Sequence, residues 1–262
     1  YLKSIIYIKI LIKNLESNNI FMSPYSFSLE PQFVKKISTK NRIIKTPIPC
    51  PGTKDILIRL DKVESRSMHG QLPLVWDKAK DFNVYDKAGN CWIDFTSTIF
   101  VANVGHSNDK IKESILKTLN EPLLSCYAYS NSIRANYLER LISFAGEPFQ
   151  KAFLLSAGTE ATEAALKLMR MNGQKKKKKR LGIIAIENNW HGRTLGAQMM
   201  SSNKVQKEWI GFHDVDIHFL QFPYPWLLNG EDGREFLNNS LKKLINQGVN
   251  LKEDICGFML ET

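Results

Sequence analysis

An apolar strand that runs into a small-residue turn and then into a helix is the feature that most constrains the fold of this chain. Residues 151–156 predict the strand, Ala157-Gly158-Thr159 the turn and residues 161–170 the helix. The first amide groups of a helix have no partners inside it, and the helix dipole adds positive charge there. We therefore expect a phosphate-binding site on this turn, where Gly158 allows the backbone to approach the phosphate closely. The alternative is an ordinary helix start capped by the Thr159 hydroxyl.

A second apolar strand, predicted over residues 182–187, ends in a group of residues suited to binding. Residues 188–194 read Asn-Asn-Trp-His-Gly-Arg-Thr. An aromatic side chain close to a phosphate-binding site suits a planar phosphorylated cofactor, because one group anchors the phosphate while the other stacks on the ring. The chain has no Gly-x-x-x-x-Gly-Lys-Ser/Thr motif and no Gly-x-Gly-x-x-Gly motif after a strand. These absences argue against a P-loop and a dinucleotide-binding fold.

A β-hairpin is predicted upstream of both segments. Residues 81–86 and 91–95 alternate apolar and polar side chains, and residues 87–90 (Lys-Ala-Gly-Asn) join them. An apolar run follows and ends in Gly105-His106. Further helices are predicted over residues 53–64, 132–144 and 230–247 and after Ser107 or Asn108, and further strands over 217–222 and 255–261. Strand and helix alternate, which indicates an α/β domain with a largely parallel sheet.

The three segments, in this order, resemble the motifs of the class III aminotransferases, which depend on pyridoxal 5'-phosphate (PLP). The family motifs are Asp-x-x-Gly-Asn-x-x-Ile-Asp-Phe, Ser/Asn-Ser/Ala-Gly-Thr/Ser-Glu-Ala and aromatic-His-Gly-Arg-Thr, and the resemblance covers roughly residues 42–262. It implies an α/β fold, PLP-transferase fold type I, with a three-layer α/β/α large domain. We expect residues 1–40 to be a poorly ordered extension, 41–106 a small-domain segment, and 107–262 the first part of the large domain.

The resemblance also assigns cofactor-binding residues. Ala157, Gly158 and Thr159 match the phosphate-binding loop, Trp190 matches the aromatic residue that stacks on the pyridine ring, and His191 matches a neighbour that shapes this turn. Most members of the family have Phe or Tyr at the position of Trp190. The alternative for Trp190 is a core aromatic at the end of a strand.

Three further positions match the surroundings of the cofactor and substrate. Glu261 matches an acidic residue close to the cofactor, and Arg193 matches an arginine that in some members holds a substrate carboxylate. A structural salt bridge is the alternative for Arg193. Ile99 matches a substrate-facing position, although Thr98 replaces a usual glycine beside it.

No catalytic residue is assigned within the chain. In the family, the aspartate that pairs with the pyridine nitrogen and the Schiff-base lysine both fall after the point that matches Thr262. We therefore expect the chain to be the N-terminal part of such an enzyme and inactive by itself. The family's strand order, 3-2-4-5-6-7-1, would leave the strand over residues 151–156 without a neighbour. Poor folding of the isolated chain is then expected.

The implied function is a PLP-dependent transaminase that moves an amino group from an amino acid or ω-amino acid to a 2-oxo acid, as a cytoplasmic homodimer. The alternatives are a catalytically inactive fragment or pseudoenzyme, or a related PLP chemistry such as that of an aminomutase or decarboxylase. A sequence match alone does not separate these alternatives, because they differ in pocket residues downstream of the motifs.

Charge and composition bear on the remaining classes of function. The chain has 262 residues, 43% of them hydrophobic, and a net charge of +10 that is concentrated in residues 1–50 and in the run Lys175–Arg180. The rest is close to neutral, which argues against nucleic-acid binding. No stretch is apolar for the length of a membrane helix. The four cysteines and five histidines form no metal-binding pattern, so we expect reduced thiols and no metal.

Overall fold

The computed structural model describes residues 27–65 and 72–261, which divide into two compact units between Tyr129 and Ser130. Most of the segment expected to be poorly ordered, residues 1–40, lies outside the described residues. Within the described part of that segment, Ile37–Ser38 pairs in a β-sheet. The division of the chain at residues 40 and 106 stays a prediction.

The first unit contains a five-stranded antiparallel sheet in the order β1-β2-β5-β4-β3. Its elements are β1 (Ile37–Ser38), β2 (Ile43–Ile44), α1 (Thr53–Asp61), β3 (Lys78–Lys80), β4 (Asn83–Tyr85), β5 (Cys91–Ile93) and α2 (Asp109–Leu119). The predicted hairpin is confirmed, since β4 and β5 pair with Val84 opposite Trp92. Asn108 caps α2 by accepting from the N–H groups of Lys110 and Ile111, as expected.

A buried asparagine fixes the turn of this hairpin. Asn90 has no exposed surface, and its side-chain oxygen accepts from the N–H groups of Lys45 (2.7 Å) and Thr46 (3.2 Å). Its amide nitrogen donates to Thr46 Oγ1 and Asp86 Oδ2. Gly89 precedes it with a φ of +75°, a left-handed conformation that glycine adopts at little cost. These contacts and this conformation explain why glycine and asparagine stand side by side in the hairpin motif of this chain.

The second unit is a three-layer α/β/α arrangement, as the family resemblance predicts. Its elements are α3 (Ser132–Ala145), α4 (Gly158–Lys175), β6 (Gly182–Ile186), α5 (Leu195–Met199), α6 (Lys204–Lys207), a 3-10 turn (Glu208–Ile210), β7 (Ile217–Leu220), α7 (Gly233–Asn246), α8 (Leu251–Asp254) and β8 (Ile255–Met259). The three strands are parallel, in the order β7-β6-β8. This is the 3-2-4 part of the family's strand order.

The central strand β6 is buried along its whole length and divides the core into two layers. Ile183 and Ala185 pack with Leu166 of α4, while Ile184 and Ile186 pack with Leu244 of α7. Successive side chains of a strand point to opposite faces, so an entirely apolar strand requires a helix on each face. The composition of this strand therefore dictates both outer layers.

The prediction of a strand over residues 151–156 is wrong for the sheet that the structure describes. Residues 151–156 have no strand pairing and are exposed, and Phe153 retains 72% of its accessible surface. A strand exists only through hydrogen bonds to a neighbour, and β6, β7 and β8 pair among themselves here. The family's strand order gives the same reason, because it places this segment next to a strand other than these three.

The basic run Lys175–Arg180 joins the end of α4 to β6. Lys179 forms an ion pair with Glu253, and Arg180 Nη2 lies 2.5 Å from Asp216 Oδ1. Lys178 Nζ donates to the carbonyl oxygen of Lys252. Three residues of the run therefore bind to neighbouring parts of the chain, and the run serves as a connection between α4 and β6.

Candidate functional site

Three segments predicted to bind a cofactor converge in the second unit, at the carboxyl ends of β6 and β8. They are the start of α4, residues 188–194 after β6, and Glu261 after β8. Ligands of open α/β sheets bind at this edge, because loops and helix starts gather there. The structure therefore brings together residues from Ala157 to Glu261, which are more than a hundred positions apart in the sequence.

The start of α4 has open amide groups. Ala157 is the N-cap with extended backbone (φ −145°, ψ 158°), and none of the described side chains caps the helix there. Thr159 lies inside the first turn, so the alternative in which it caps the helix is wrong. A Cβ added to Gly158 would have no heavy atom within 4 Å, so the space before this turn is open. Free N–H groups at an uncapped helix start form an anion-binding site when a second feature holds the ligand.

The first turn of α4 contains one acidic residue, Glu160, whose carboxylate binds to the backbone. The Glu160 carboxylate accepts a hydrogen bond from the Ser156 N–H at 2.8 Å. This contact orders the approach to the helix in the way a capping box does, with the carboxylate reaching back from the first turn. The amides of Gly158 and Thr159 stay available.

The first turn of α4 packs directly against the segment that follows β6. A Cβ at Gly192 would overlap the Thr159 side chain, so only glycine allows this approach. One turn further along, the Thr162 hydroxyl donates to the carbonyl oxygen of His191 at 2.7 Å. These contacts hold the turn of residues 157–159 and the segment of residues 188–194, which we call the aromatic loop, in one fixed arrangement.

Glu163 completes this connection between the two motifs. Its Oε1 accepts hydrogen bonds from the Gly196 N–H (2.9 Å), the Ala197 N–H (3.0 Å) and the Thr194 hydroxyl. The carboxylate thus serves as the cap of α5, whose own N-cap residue Thr194 makes no side-chain cap. Negative charge at a helix N-terminus is favourable through the dipole.

Trp190 lies at the surface of this arrangement with 46% of its area exposed. Its backbone N–H donates to Glu261 Oε1 at 2.9 Å, which ties the aromatic loop to the end of β8. The Arg193 guanidinium carbon lies 5.3 Å from the centre of the indole ring. The alternative of a buried core aromatic is therefore wrong for Trp190. Within residues 27–65 and 72–261, Arg193 makes this cation–π contact and no ion pair.

His191 is the buried member of the group, with 5% of its area exposed. Its backbone N–H donates a hydrogen bond to Ser201 Oγ at 3.2 Å. Burial lowers the pKa of the imidazole, and the charge of Glu261 opposes that shift. Its ring Nε2 is buried and makes no hydrogen bond to the described part of the chain. His191 is therefore a neutral imidazole at neutral pH.

Ile99 belongs to the first unit and is 72% exposed. It sits in a single helical turn, Ser97–Phe100, whose four residues all have positive φ. Thr98, which replaces the family's usual glycine, has a φ of +53°. Glycine adopts such a conformation without the steric cost that a Cβ brings. The role of Ile99 towards a substrate stays a prediction.

Sequence reasoning missed the residues that hold the site together. Thr162 and Glu163 follow the matched motif on the same helix face as Thr159, at the spacing of three and four residues. Asn189 binds the far side of the loop, with its amide nitrogen on the Met200 carbonyl and its oxygen on the Ser202 N–H. The helical spacing was the available signal for the first two. Asn189 had no local signal, because its partners are set by the fold.

Two further features are absent from the described residues. No helix in the described ranges combines the length and the apolar character needed to cross a bilayer. Among those same residues, no three His, Cys, Asp or Glu side chains are grouped as a metal would require.

Comparisons with known proteins agree with the geometry. The family model described as aminotransferase class III matches residues 65–262. The mitochondrial acetylornithine aminotransferase of Saccharomyces cerevisiae is 30% identical over 190 residues, covering 70% of this chain and 41% of that enzyme. The acetylornithine aminotransferase of Lactococcus lactis is 35% identical over 156 residues, covering 60% of this chain and 39% of that enzyme.

A solved structure shows the same fold. The taurine:2-oxoglutarate aminotransferase of Bifidobacterium kashiwanohense, in complex with PLP and glutamate, superposes with a TM-score of 0.66 at 20% identity. The match covers 80% of this chain and 48% of that one. The chain therefore spans about two fifths of the length of the two curated relatives and about half of this structural neighbour.

Proposed function

Because this chain belongs to the class III aminotransferases, a family that uses PLP, we propose that the protein containing it is a PLP-dependent transaminase. It moves an amino group from an amino acid or ω-amino acid to a 2-oxo acid. The observation that carries this proposal is the uncapped start of α4, held by Thr162 and Glu163 against the loop that bears Trp190.

The described residues fit PLP at both ends of the molecule. The open amides of Gly158 and Thr159 and the Thr159 hydroxyl suit the phosphate, and the open space at Gly158 leaves room for it. The exposed indole of Trp190 suits the pyridine ring. When bound, PLP supplies an electron sink for the substrate carbon that loses a proton. The chain supplies position, because the His191 backbone bonds to the hydroxyls of Thr162 and Ser201 and the Trp190 N–H donates to Glu261.

Substrate recognition is proposed for Arg193. Its guanidinium is exposed beside Trp190 and has a planar fork of donors that matches a carboxylate. Ile99 is proposed to face the substrate, as the family resemblance implies. The names of the two curated relatives support a donor of the ornithine kind, with an amino group distant from a carboxylate. A homodimer and a cytoplasmic location are further parts of this proposal.

The test uses protein expressed from the complete coding sequence and loaded with PLP. We expect transfer of an amino group from N-acetylornithine or ornithine to 2-oxoglutarate, measured as glutamate formed. Trp190→Phe keeps a stacking ring and should retain PLP binding, while Trp190→Ala should weaken it at least tenfold. Arg193→Ala should raise the donor KM and leave PLP binding unchanged. Sedimentation of the same sample tests the dimer.

Two outcomes would redirect the proposal. PLP binding without amino transfer, but with loss of carbon dioxide or migration of the amino group, would indicate a decarboxylase or an aminomutase. Failure of the complete protein to bind PLP would favour a pseudoenzyme. The 262-residue chain alone is expected to be inactive, because none of its lysines matches the family's Schiff-base position.

A further inference from the structure

A pocket in the same unit as the candidate cofactor site is lined by none of the residues proposed to contact PLP. It has a volume of about 370 Å³ and opens between the segment around α6 and the strand β7. The lining residues that matter here are Lys204, Lys207, Phe212, His213, Asp214 and Phe219. This volume is within the range of small-molecule sites, roughly 300–1,000 Å³.

Lys207 is the unusual member of this lining. Its side chain is half-buried, and its Nζ lies 4.7 Å from the centre of the Phe219 ring. Burial lowers the pKa of its ammonium group, and the neighbouring charge of Lys204 lowers it further. No carboxylate among residues 27–65 and 72–261 pairs with it. A cation that is partly removed from water beside a second cation is unfavourable unless an anion joins it.

The carboxylate that lines the pocket is already engaged. Asp214 Oδ2 lies 2.5 Å from Arg170 Nη2, and its Oδ1 accepts from the Asp216 N–H at 3.0 Å. Both oxygens therefore have partners away from Lys207. His213 is exposed and carries no negative charge. The unpaired charge of the pocket is positive, while Phe212 and Phe219 give it apolar walls.

We propose that this pocket binds a small carboxylate with a flat apolar body. Lys207 and Lys204 hold the carboxylate, and the aromatic walls cover the body of the ligand. Apolar walls with a few convergent charged groups are the usual composition of small-molecule sites. The cation–π contact with Phe219 already orients Lys207 towards the pocket, so little side-chain freedom is lost when the ligand binds.

The test is a calorimetric titration of the complete, PLP-saturated protein with 1-naphthoate, since saturation keeps the probe out of the cofactor site. We expect binding that weakens at least tenfold in Lys207→Met, which keeps the aliphatic stem and removes the charge. Lys204→Met should weaken it severalfold. Lys243→Met, at an exposed position of α7, is the matched control and should leave the affinity unchanged.

Two comparison probes, one neutral and one purely ionic, complete the experiment. 1-Naphthalenemethanol, which lacks the charge, and inorganic phosphate, which lacks the apolar body, should each bind at least tenfold more weakly than 1-naphthoate. The proposal is overturned if 1-naphthoate does not bind, if Lys207→Met leaves its affinity unchanged, or if either comparison probe binds as tightly. PLP loading is read separately by absorbance, so failure here does not bear on the transaminase proposal.

Discussion

The Glu163 carboxylate joins the start of α4 to the segment that follows β6. Gly158, Thr159, Trp190 and His191 stand in short motifs, whose chemistry is local. The importance of Glu163 comes from donors more than thirty positions away, in Thr194 and the first amides of α5. A helical spacing could place it on the correct face, but only the fold shows what that face meets.

The first prediction concerns this carboxylate. Glu163→Gln keeps the shape but replaces a charged acceptor by a neutral one, and hydrogen bonds to charged groups contribute about 1.5–3 kcal/mol. We expect the free energy of unfolding to fall by about 1–3 kcal/mol and the PLP affinity to fall about tenfold. Denaturant unfolding and absorbance titration measure the two effects. Glu235→Gln, in the exposed first turn of α7, is the control. Equal behaviour of the two variants would contradict the proposed connection.

The second prediction concerns the buried neutral imidazole of His191. Its pKa is lowered in the folded state, so the unfolded chain binds more protons below its ordinary value of about 6.5. The contribution of His191 to stability is therefore complete above about pH 6.5 and is lost as the pH falls from there through the lowered pKa. The largest slope from one such group is about 1.4 kcal/mol per pH unit.

His218 needs a control in this experiment, because burial lowers its pKa as well. We expect His191→Gln to reduce the slope of the unfolding free energy against pH between pH 7 and 5. His218→Gln should reduce this slope independently. Denaturant unfolding at several pH values gives both slopes. A His191→Gln slope equal to that of the unaltered protein would show that the imidazole is not held neutral.

At the scale of elements, the core of the second unit was predictable and its first strand was not. The entirely apolar β6 required helices on both faces, and α4 and α7 supply them. The segment over residues 151–156 has the composition of a strand, but pairing decides whether a strand forms. Composition is local, while pairing depends on which strands are neighbours. The helix α4 itself begins at Gly158, three residues before the predicted start.

The third prediction tests the close approach of α4 to the aromatic loop. Gly192 has a φ of +130°, and a Cβ there would overlap Thr159. Gly248 also has a positive φ of +93°, but a Cβ there would meet no atom within 4 Å. Both alanine variants place a Cβ on a residue with positive φ, which costs about 1–2 kcal/mol in the left-handed region and no less at Gly192. Gly192→Ala should lose about 1–3 kcal/mol more from overpacking and should also weaken PLP binding. Equal losses in denaturant unfolding would mean that the approach is loose.

At the scale of the whole molecule, the described residues leave much apolar surface uncovered. Phe153 is 72% exposed, Leu154 44% and Leu155 39%, and the three residues are consecutive. Phe144 in α3 and Phe149 in the connection that follows it are likewise exposed, at 89% and 60%. Contiguous exposed apolar groups indicate surfaces that another part of a protein covers. The sequence predicted this at one segment through the family's strand order, while the exposure around α3 emerged only from the structure.

The fourth prediction follows from this exposure. The 262-residue chain, expressed by itself, should associate in solution and bind a dye for apolar surfaces strongly. Analytical ultracentrifugation and dye fluorescence measure both properties, with the complete protein as the control. A monodisperse monomer that unfolds in one cooperative step would contradict the expectation, because such a monomer must bury these side chains.

We propose that the uncapped start of α4 and the ring of Trp190 form one PLP site. The most direct measurement is a crystal structure of the complete protein grown with PLP. We expect the phosphate to lie within hydrogen-bonding distance of the Gly158 and Thr159 amides and the pyridine ring to stack on Trp190. A phosphate bound elsewhere, or a ring that makes no contact with Trp190 while Arg193 keeps its place on the indole, would contradict it.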